Sequence, residues 1–454
     1  MFNKKWKKNL ILSLVFILVC ISTIALNITL QKQPAFALTE QDWKRLLEEK
    51  AVPEIVDTIE QEWEAAYENY FNANLSDFSL NSETIAKQLD LLTYQTDKNS
   101  AVVWVWPREE QIQLVLITPN QPPIVRSVLN AEQNTVLTTV KKLAQEITNP
   151  RKRQTTSYLK PAQQMYQWLV APIESELEKQ EIDTILFCLG PGLRSLALAA
   201  LHDGERFLIE KYSIALIPAF NMIETDYDRI KNLQVLAMGA SEFLDQQPLP
   251  GVPIELKQIT EELWQGEAFI NQDFTIKNLQ EQRKKHNFGI VHLATHAEFK
   301  SGEPSNSYIQ FWNQEKLELD DIRKLQWQEP PVELLVLSAC KTAVGDKEAE
   351  LGFAGLTVQA GVKSALASLW YVSDVGTLAL MSEFYQHLHK ILLKAEALRE
   401  TQIAMLKGKV RLENGELHGA GRTVKLPPDL AKLGDENLSH PYYWAAFTII
   451  GNPW

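Results

Sequence analysis

The chain has 454 residues and a mass of 51.7 kDa, which is enough for about three domains of average size. Its composition, with 45% hydrophobic and 22% charged residues, is that of a globular protein and excludes disordered and collagen-like classes. The formal net charge of −12 argues against a general nucleic-acid-binding protein, which would need a net basic surface. Three cysteines are too few for a disulfide framework in a chain of this length.

The first 37 residues have the features of an export signal. A lysine-rich head precedes an uncharged run from Leu10 to Leu30, and a small-x-small pattern ends at Ala37. This order predicts a signal peptide over residues 1–37 that is removed after export. The alternative is an uncleaved membrane anchor, since the apolar run is long enough to cross a bilayer. In both cases we expect the folded part to lie outside the cytoplasm, because the positive charge stays inside.

Residues 38–157 are predicted to form a smaller amino-terminal region of helices and one β-hairpin. Apolar residues recur at helical spacing up to Phe71, from Ser82 to Leu92 and from Val136 to Ile147. Between the second and third helices, Ala101–Trp106 and Ile112–Thr118 are predicted to be two strands joined by a turn.

From residue 158 the pattern changes, and we predict an α/β domain over residues 158–454. Six apolar runs end in turn residues, at 182–189, 213–218, 233–239, 288–295, 332–339 and 362–370. Such runs, with helical stretches between most of them, indicate a mostly parallel sheet covered by helices on both faces. The run Tyr442–Ile450 is expected to close an edge of the core, and residues 407–440 are expected to form a surface hairpin and loop.

Two chemically reactive side chains end successive strands of this predicted sheet. The strand that begins at Phe288 ends at His296, and the strand that begins at Pro331 ends at Cys340. Because parallel strands place their carboxyl ends at one edge, we expect the imidazole and the thiol to lie close together. A nearby protonated imidazole lowers a thiol pKa and makes the cysteine nucleophilic. Taken singly, each residue is more often a buried structural group, but their combined placement favours a site.

Other signatures of chemistry are absent from the sequence. It contains no P-loop, no Gly-x-Ser-x-Gly elbow and no paired Cys-x-x-Cys motif, so we expect no cofactor and no metal. Cys188 is interpreted as a core residue. His387 and His389 are interpreted as a solvated helix face rather than a metal-binding pair.

Six motifs resemble the CHAT domain, a branch of the caspase and separase clan of cysteine peptidases. In chain order they are LPGVPIEL from Leu249, HLATHAEF from His292, LVLSACKTA from Leu335, GFAGL from Gly352, GVKSALASLW from Gly361 and HPYYWAAF from His440. The resemblance covers roughly residues 160–454 and implies a caspase-like fold, with a mostly parallel sheet flanked by helices. Residues 38–160 resemble the amino-terminal extensions of bacterial members.

The resemblance also implies roles for individual residues. His296 would be the general base, Cys340 the nucleophile, and the backbone N–H groups of Ala297 and Cys340 the oxyanion hole. Most members have glycine where this chain has Ala297, and alanine suits that turn only if its φ is negative. His292 lies four residues before His296 on the same strand, and we interpret it as a structural residue on the same face.

Asp374 has two interpretations. The stretch LWYVSD, which ends at Asp374, resembles a stretch of separases in which an acid selects a basic residue beside the cut bond. That resemblance would place the carboxylate in the first specificity pocket. The alternative is a helix cap, since Asp374 precedes a predicted helix that starts at Thr377.

Two functions are consistent with the sequence. The first is an exported cysteine endopeptidase that acts on a protein or peptide substrate, and the intact pair of His296 and Cys340 favours it. The second is an interaction module that keeps the peptidase fold without cutting, and Ala297 favours it. Neither involves nucleic acid, and membrane contact is expected only through an uncleaved amino-terminal segment.

We expect the exported protein to begin at Leu38, because Ala35 to Ala37 form the small-x-small site that follows the apolar run. The intact mass of the purified protein checks this prediction. A membrane-bound form that still carries residues 1–37 would identify an anchor instead.

Overall fold

The computed structural model of the chain describes Arg45 and residues 52–454, apart from residues 77–78, 229, 392 and 420–421. The predicted signal peptide therefore lies outside the described residues. The described residues all belong to one compact unit, residues 40–454.

Two helices and a three-stranded meander come first in the described chain. Their bounds are α1 Val52–Phe71, α2 Ser82–Thr96, β1 Ser100–Pro107, β2 Ile112–Ile117 and β3 Ile124–Val128, followed by helix α3 Gln133–Thr148. Helix α2 begins where the side chain of Asn81 accepts a hydrogen bond from the N–H of Thr84. The predicted helices and hairpin are confirmed within these bounds, whereas β3 was not predicted.

Helices and strands are mixed in the rest of the chain as far as the last helix pair. They are α4 Leu159–Leu169, α5 Ala171–Lys179, β4 Thr184–Leu189, α6 Leu208–Lys211, β5 Ser213–Ile217, β6 Gln234–Gly239, α7 Val252–Lys257, a π-helix Gln258–Leu263, β7 Gly266–Ile270, α8 Ile276–Lys285, β8 Phe288–Phe299, β9 Tyr308–Gln310, β10 Lys316–Glu318, β11 Leu334–Thr342, α9 Lys347–Ala354, α10 Leu356–Ala360, β12 Ser364–Ser368, α11 Asp374–Ile391 and α12 Lys394–Leu406. After α12 come β13 Arg411–Glu413, β14 Glu416–Gly419, β15 Arg422–Lys425, α13 Pro428–Ala431, β16 Glu436–Asn437, α14 Pro441–Trp444 and β17 Phe447–Gly451.

One large sheet runs through the described chain in the order β10-β9-β8-β11-β12-β17-β5-β4-β1-β2-β3, and β6 and β7 continue from β8 on the same side as β9. Strands β7, β6, β8, β11 and β12 pair in parallel, and so do β17, β5, β4 and β1. The predicted mostly parallel sheet flanked by helices is thus confirmed. The amino-terminal strands belong to the same sheet, because β1 pairs with β4.

The position of the last strand differs from the prediction. Strand β17 lies in the middle of the sheet, antiparallel to β12 and parallel to β5, and does not close an edge. Its residues Phe447, Ile449 and Ile450 are buried. A strand with apolar residues on both faces is buried best at the centre of a sheet. There it has a neighbouring strand on each side and other elements packed on both faces.

Residues 411–437 form a second, four-stranded sheet in the order β15-β14-β13-β16. The predicted surface hairpin corresponds to β13 and β14, and its buried residues include Leu412 and Leu417. We call this sheet the insertion sheet. No helix among the described residues is both long and apolar enough to span a bilayer.

A buried carboxylate joins the amino-terminal helices to the large sheet. Glu60 of α1 is fully buried and accepts hydrogen bonds from Trp104 Nε1 at 2.6 Å, from the Phe220 N–H at 3.0 Å and from the Asn221 N–H at 2.8 Å. Burial raises the pKa of this carboxyl, and the three donors act in the opposite direction. Glu60 therefore fastens α1 to β1 and to the loop after β5.

Replacing Glu60 with alanine should lower the free energy of unfolding by about 3 kcal/mol, because three buried donors lose their acceptor. Urea denaturation of the purified protein measures this change. Glu83→Ala on the neighbouring helix is the matched control, since Glu83 is 76% exposed and forms its ion pair with Lys87 in its own helix. That change should cost less than about 0.5 kcal/mol, and equal losses for the two variants would contradict the role of Glu60.

Candidate functional site

Strands β8 and β11 bring His296 and Cys340 to neighbouring positions. The strands pair in parallel, with Ala339 opposite His296 and Cys340 opposite Ala297. Both strands are buried along their apolar length, so hydrophobic packing fixes them in this register. His296 and Cys340 therefore lie near the carboxyl ends of adjacent strands, and the close approach of the imidazole to the thiol stays a prediction.

A bulge interrupts β8 just before His296. Between the pairs Leu337–Leu293 and Ala339–His296, β8 advances by three residues and β11 by two. One extra residue reverses the alternation of side chains along a strand. The prediction that His292 and His296 share a face assumed that side chains alternate strictly along β8. Because of the bulge, that assumption does not hold.

The imidazole of His296 is held on three sides. Its Nε2 lies 2.9 Å from the carbonyl oxygen of Gln247, the ring of Phe243 packs edge-on with centroids 4.7 Å apart, and the ring of Tyr371 stacks at 5.9 Å. A carbonyl oxygen can only accept, so Nε2 carries the proton and Nδ1 has the free lone pair when the ring is neutral. Burial lowers the pKa of His296, which keeps the ring neutral at pH 7.

The thiol of Cys340 lies below the surface. Cys340 is fully buried, and its Sγ donates to the carbonyl oxygen of Leu337 at 3.6 Å. Burial raises the pKa of this thiol to about 12. Among the hydrogen bonds of the described residues, none joins this thiol to the imidazole of His296.

The two backbone N–H groups expected to form an oxyanion hole belong to residues that already have hydrogen-bond or strand partners. Cys340 donates its N–H to Ser368 Oγ at 3.1 Å, and the same hydroxyl donates to the Cys340 carbonyl at 3.1 Å. Ala297 lies between Cys340 of β11 and Ile309 of β9, and its φ is not positive, so alanine fits here. The oxyanion role of both residues stays a prediction.

A cleft of about 470 Å³ opens beside His296. It is lined by residues of three segments: Asp245, Gln246 and Gln247, then His296, Ala297, Glu298 and Tyr308, and then Lys341 and Tyr371. Neither Cys340 nor Asp374 belongs to this lining. Asp245 and Glu298 make the cleft acidic on the side of the imidazole, while Lys341 adds one positive charge.

The second histidine of β8 belongs to a buried network. His292 is fully buried, with Nε2 at 2.7 Å from Glu255 Oε1 and Nδ1 at 3.1 Å from the hydroxyl of Tyr385. Glu255 lies on α7 and Tyr385 on α11, so the network ties both helices to the strand that carries His296. This arrangement agrees with the structural interpretation of His292.

Asp374 is the first residue of α11, and its carboxylate already accepts a hydrogen bond. Oδ2 accepts the N–H of Gly251 at 2.6 Å, at the point where α7 begins. Burial raises the pKa of this carboxyl to about 7, the Gly251 N–H lowers it, and the charge of Glu255 raises it further. The contact holds α7 against α11, and the role of Asp374 in a specificity pocket stays a prediction.

Sequence reasoning missed several residues of the site. Glu255 lies inside LPGVPIEL and Tyr371 inside LWYVSD, so their places in these motifs could have indicated them. Gln247 acts through its backbone carbonyl, which no side-chain pattern can indicate, and Phe243 lies on an irregular loop. Within the described residues, no group of three histidine, cysteine, aspartate or glutamate side chains is placed to hold a metal ion.

The two described cysteines are free and are not placed to form a disulfide. Cys188 lies on β4, four strands from β11 in the sheet order. At ~4.8 Å between neighbouring strands this separation is ~19 Å, well beyond the ~7 Å that a disulfide allows. Cys188 is therefore a matched control for experiments on Cys340.

Comparison with known families matches residues 159–452 to the CHAT domain. These residues contain β4 to β17 and both residues of the candidate dyad. No match to the chain was found among curated proteins.

Solved structures of two peptidases are similar to this one. The Saccharomyces cerevisiae separase–securin complex at 2.6 Å resolution has a TM-score of 0.50 at 11% identity, over 92% of this chain and 35% of that chain. The chain thus spans about a third of the separase that it matches. The Arg specific cysteine proteinase gingipain R has a TM-score of 0.38 at 13% identity, over 68% of this chain and 69% of that chain. The similarity to separase shows a caspase-like fold.

Replacing Asp374 with asparagine should remove a pH-dependent loss of stability. The folded-state pKa of about 7 lies above the ordinary value, so the stability that this carboxyl contributes is present at low pH and is lost as the pH rises to about 7. Asparagine keeps an acceptor for the Gly251 N–H and does not ionise. From pH 5 to pH 8 the variant should therefore gain on the order of 2 kcal/mol relative to the unmodified protein, measured by urea denaturation.

The control for this prediction is Asp429→Asn, because Asp429 is 75% exposed and pairs with Lys432 at the surface. Its stability difference should not vary with pH. The stability difference of Asp374→Asn could also fail to vary with pH. If this variant instead changed the preference for basic substrates, Asp374 would line the specificity pocket.

Proposed function

This chain belongs to the CHAT domain family, and from that premise we propose that it is a cysteine endopeptidase with a dyad of His296 and Cys340. The observation that carries the proposal is the pairing of β8 with β11, which sets the two residues at neighbouring positions, with His296 lining a cleft. The proposed substrate is a protein or peptide, because an open cleft next to the imidazole can admit an extended chain.

The chemistry follows from the tautomer of His296. Since the Gln247 carbonyl keeps the proton on Nε2, Nδ1 is the atom that accepts the thiol proton. Sγ of Cys340 then bonds to the peptide carbonyl carbon, and the C–N bond breaks as the imidazolium returns the proton to the leaving amine. Water hydrolyses the resulting thioester and regenerates the thiol.

The reaction requires a rearrangement around Cys340. The thiol must leave the Leu337 carbonyl and reach the cleft. The backbone N–H of Cys340 must also release Ser368 Oγ and donate to the substrate oxyanion instead. A pKa of about 12 means that the resting thiol is neutral at pH 7. We therefore propose that substrate or a protein partner shifts the end of β11 before attack occurs.

An exposed carboxylate in the cleft supports a preference for basic side chains. Asp245 is exposed and lines the cleft, whereas Glu298 is held by Lys300 at 2.7 Å. An arginine side chain that enters the cleft would give Asp245 a cationic partner. We propose that peptides with arginine or lysine before the cut bond bind better than neutral peptides.

A second candidate function is an interaction module without peptidase activity. The burial of Cys340 and its absence from the cleft lining favour this alternative. Such a module would bind a peptide beside His296 and leave it intact.

An electrophilic peptide probe with arginine before the warhead separates the two functions. The proposed peptidase should be labelled in the unmodified protein and in Cys188→Ala but not in Cys340→Ala, as seen by mass spectrometry of the modified peptide. His296→Ala should slow labelling by ~10²-fold or more, because the thiol loses its base.

Binding of a non-reactive analogue of the same peptide is measured in parallel by fluorescence polarisation. Equal binding by the unmodified protein and Cys340→Ala, with labelling of neither, would establish the interaction module. Labelling that persists in Cys340→Ala would contradict the assignment of the nucleophile.

A further inference from the structure

A second cleft, which shares no residue with the cleft at His296, opens between α11, α12 and the insertion sheet. Its volume is about 470 Å³, within the range of small-molecule sites. Polar side chains from all three elements line it, including Glu383, His387, Glu400, Lys409, Arg411 and His418. We call it the insertion cleft.

Glu383 lies at the floor of the insertion cleft with an unsatisfied oxygen. The residue is 2% exposed, and its Oε2 has no hydrogen-bond partner in the described chain. The nearest titratable neighbour of Oε2 is Nε2 of His387, 3.8 Å away and beyond hydrogen-bond distance. A buried carboxyl with a free oxygen is unfavourable unless something donates to it, so this group indicates a missing donor.

The other carboxyl oxygen lies against the insertion sheet. Oε1 is so close to Gly419 of β14 that a Cβ at that position would be 2.2 Å from it. Oε2 lies on the side of His387, which lines the same cleft.

Charges on the walls and at the rim determine which ligand fits. Glu400 provides a second carboxylate, 38% exposed and held by Arg399 at 2.8 Å. Lys409 and Arg411 are exposed, and Arg411 pairs with Glu413 at 3.1 Å. The cleft thus presents carboxylate acceptors together with positive charge on exposed side chains.

We infer that the insertion cleft binds a small amphoteric molecule, with a guanidinium on Glu383 and Glu400 and a carboxylate towards Lys409 and Arg411. A guanidinium is favoured over an ammonium because its planar array of N–H groups can donate to two carboxylates at once. A metal ion is a poorer fit, since the described residues include no cluster with suitable ligand geometry. The inference concerns a separate site and does not depend on peptidase activity.

The protonation state of Glu383 gives the inference an independent readout. Burial raises the pKa of this carboxyl to about 7, and Lys390 lowers it. The charged or titratable groups that face it are His387 and Lys390 on α11, Arg399 and Glu400 on α12, Lys409 before β13, Arg411, His418 and Arg422 on the insertion sheet, and Glu262 of the π-helix. A bound cation stabilises the ionised carboxylate, so binding near pH 6 should release a proton.

Calorimetric titration of the full chain with L-arginine, agmatine and L-citrulline tests the inference. Citrulline has the size of arginine without the side-chain charge, and agmatine lacks the carboxylate. Arginine should bind with a Kd tighter than about 1 mM, and citrulline should bind roughly tenfold more weakly or not at all. Agmatine should lie between them, because it keeps the contact with Glu383 and loses the contact with the rim.

Two variants locate the binding and exclude a folding defect. Glu383→Gln should weaken arginine binding roughly tenfold and abolish proton release, measured in buffers of different ionisation enthalpy. Asp429→Asn, on the same insertion but away from the cleft lining, should leave both unchanged, and thermal melting should show that both variants are folded. Equal binding of arginine and citrulline, unchanged binding by Glu383→Gln, or no binding of any probe near 1 mM would each overturn the inference.

Discussion

The parallel pairing of β8 with β11 is the constraint on which the candidate site depends. Neither reactive side chain holds the other, since His296 bonds to Gln247 and Cys340 bonds to Leu337. Their neighbouring positions come from two buried strands whose apolar residues fix the register. The hydrophobic core therefore positions the two residues, and a slip of one residue along either strand would change which residues stand opposite them.

A single segment, residues 247–255, connects the end of β8 to the helices around it. The Gln247 carbonyl accepts from His296, the Gly251 N–H donates to Asp374, and Glu255 bonds to His292. Three contacts within nine residues make this segment the link between the imidazole and the start of α11.

Much of this arrangement could be predicted from the sequence. The rest could not be predicted, and the reasons are physical. Apolar runs that end in His296 and Cys340 predicted adjacent strands, because burial on both faces leaves a plain compositional signal. The bulge in β8 and the central place of β17 depend on pairing between distant segments, which local patterns do not contain. Gln247 acts through its backbone, and Glu383 is one acid among many in the sequence, so only its burial distinguishes it.

The place of β17 has a consequence for how the protein folds. In the described sheet, two blocks of parallel strands meet only through this strand, and Ile449 pairs with Ala215, which lies more than two hundred residues earlier in the chain. Until residues 447–451 dock, β12 and β5 each present an open edge with unpaired N–H and C=O groups. The folding chain therefore exposes two strand edges that can pair with other chains, and closure by such a long-range contact is intrinsically slow. Chaperones that cover exposed strand edges would act longest in the interval before this strand docks.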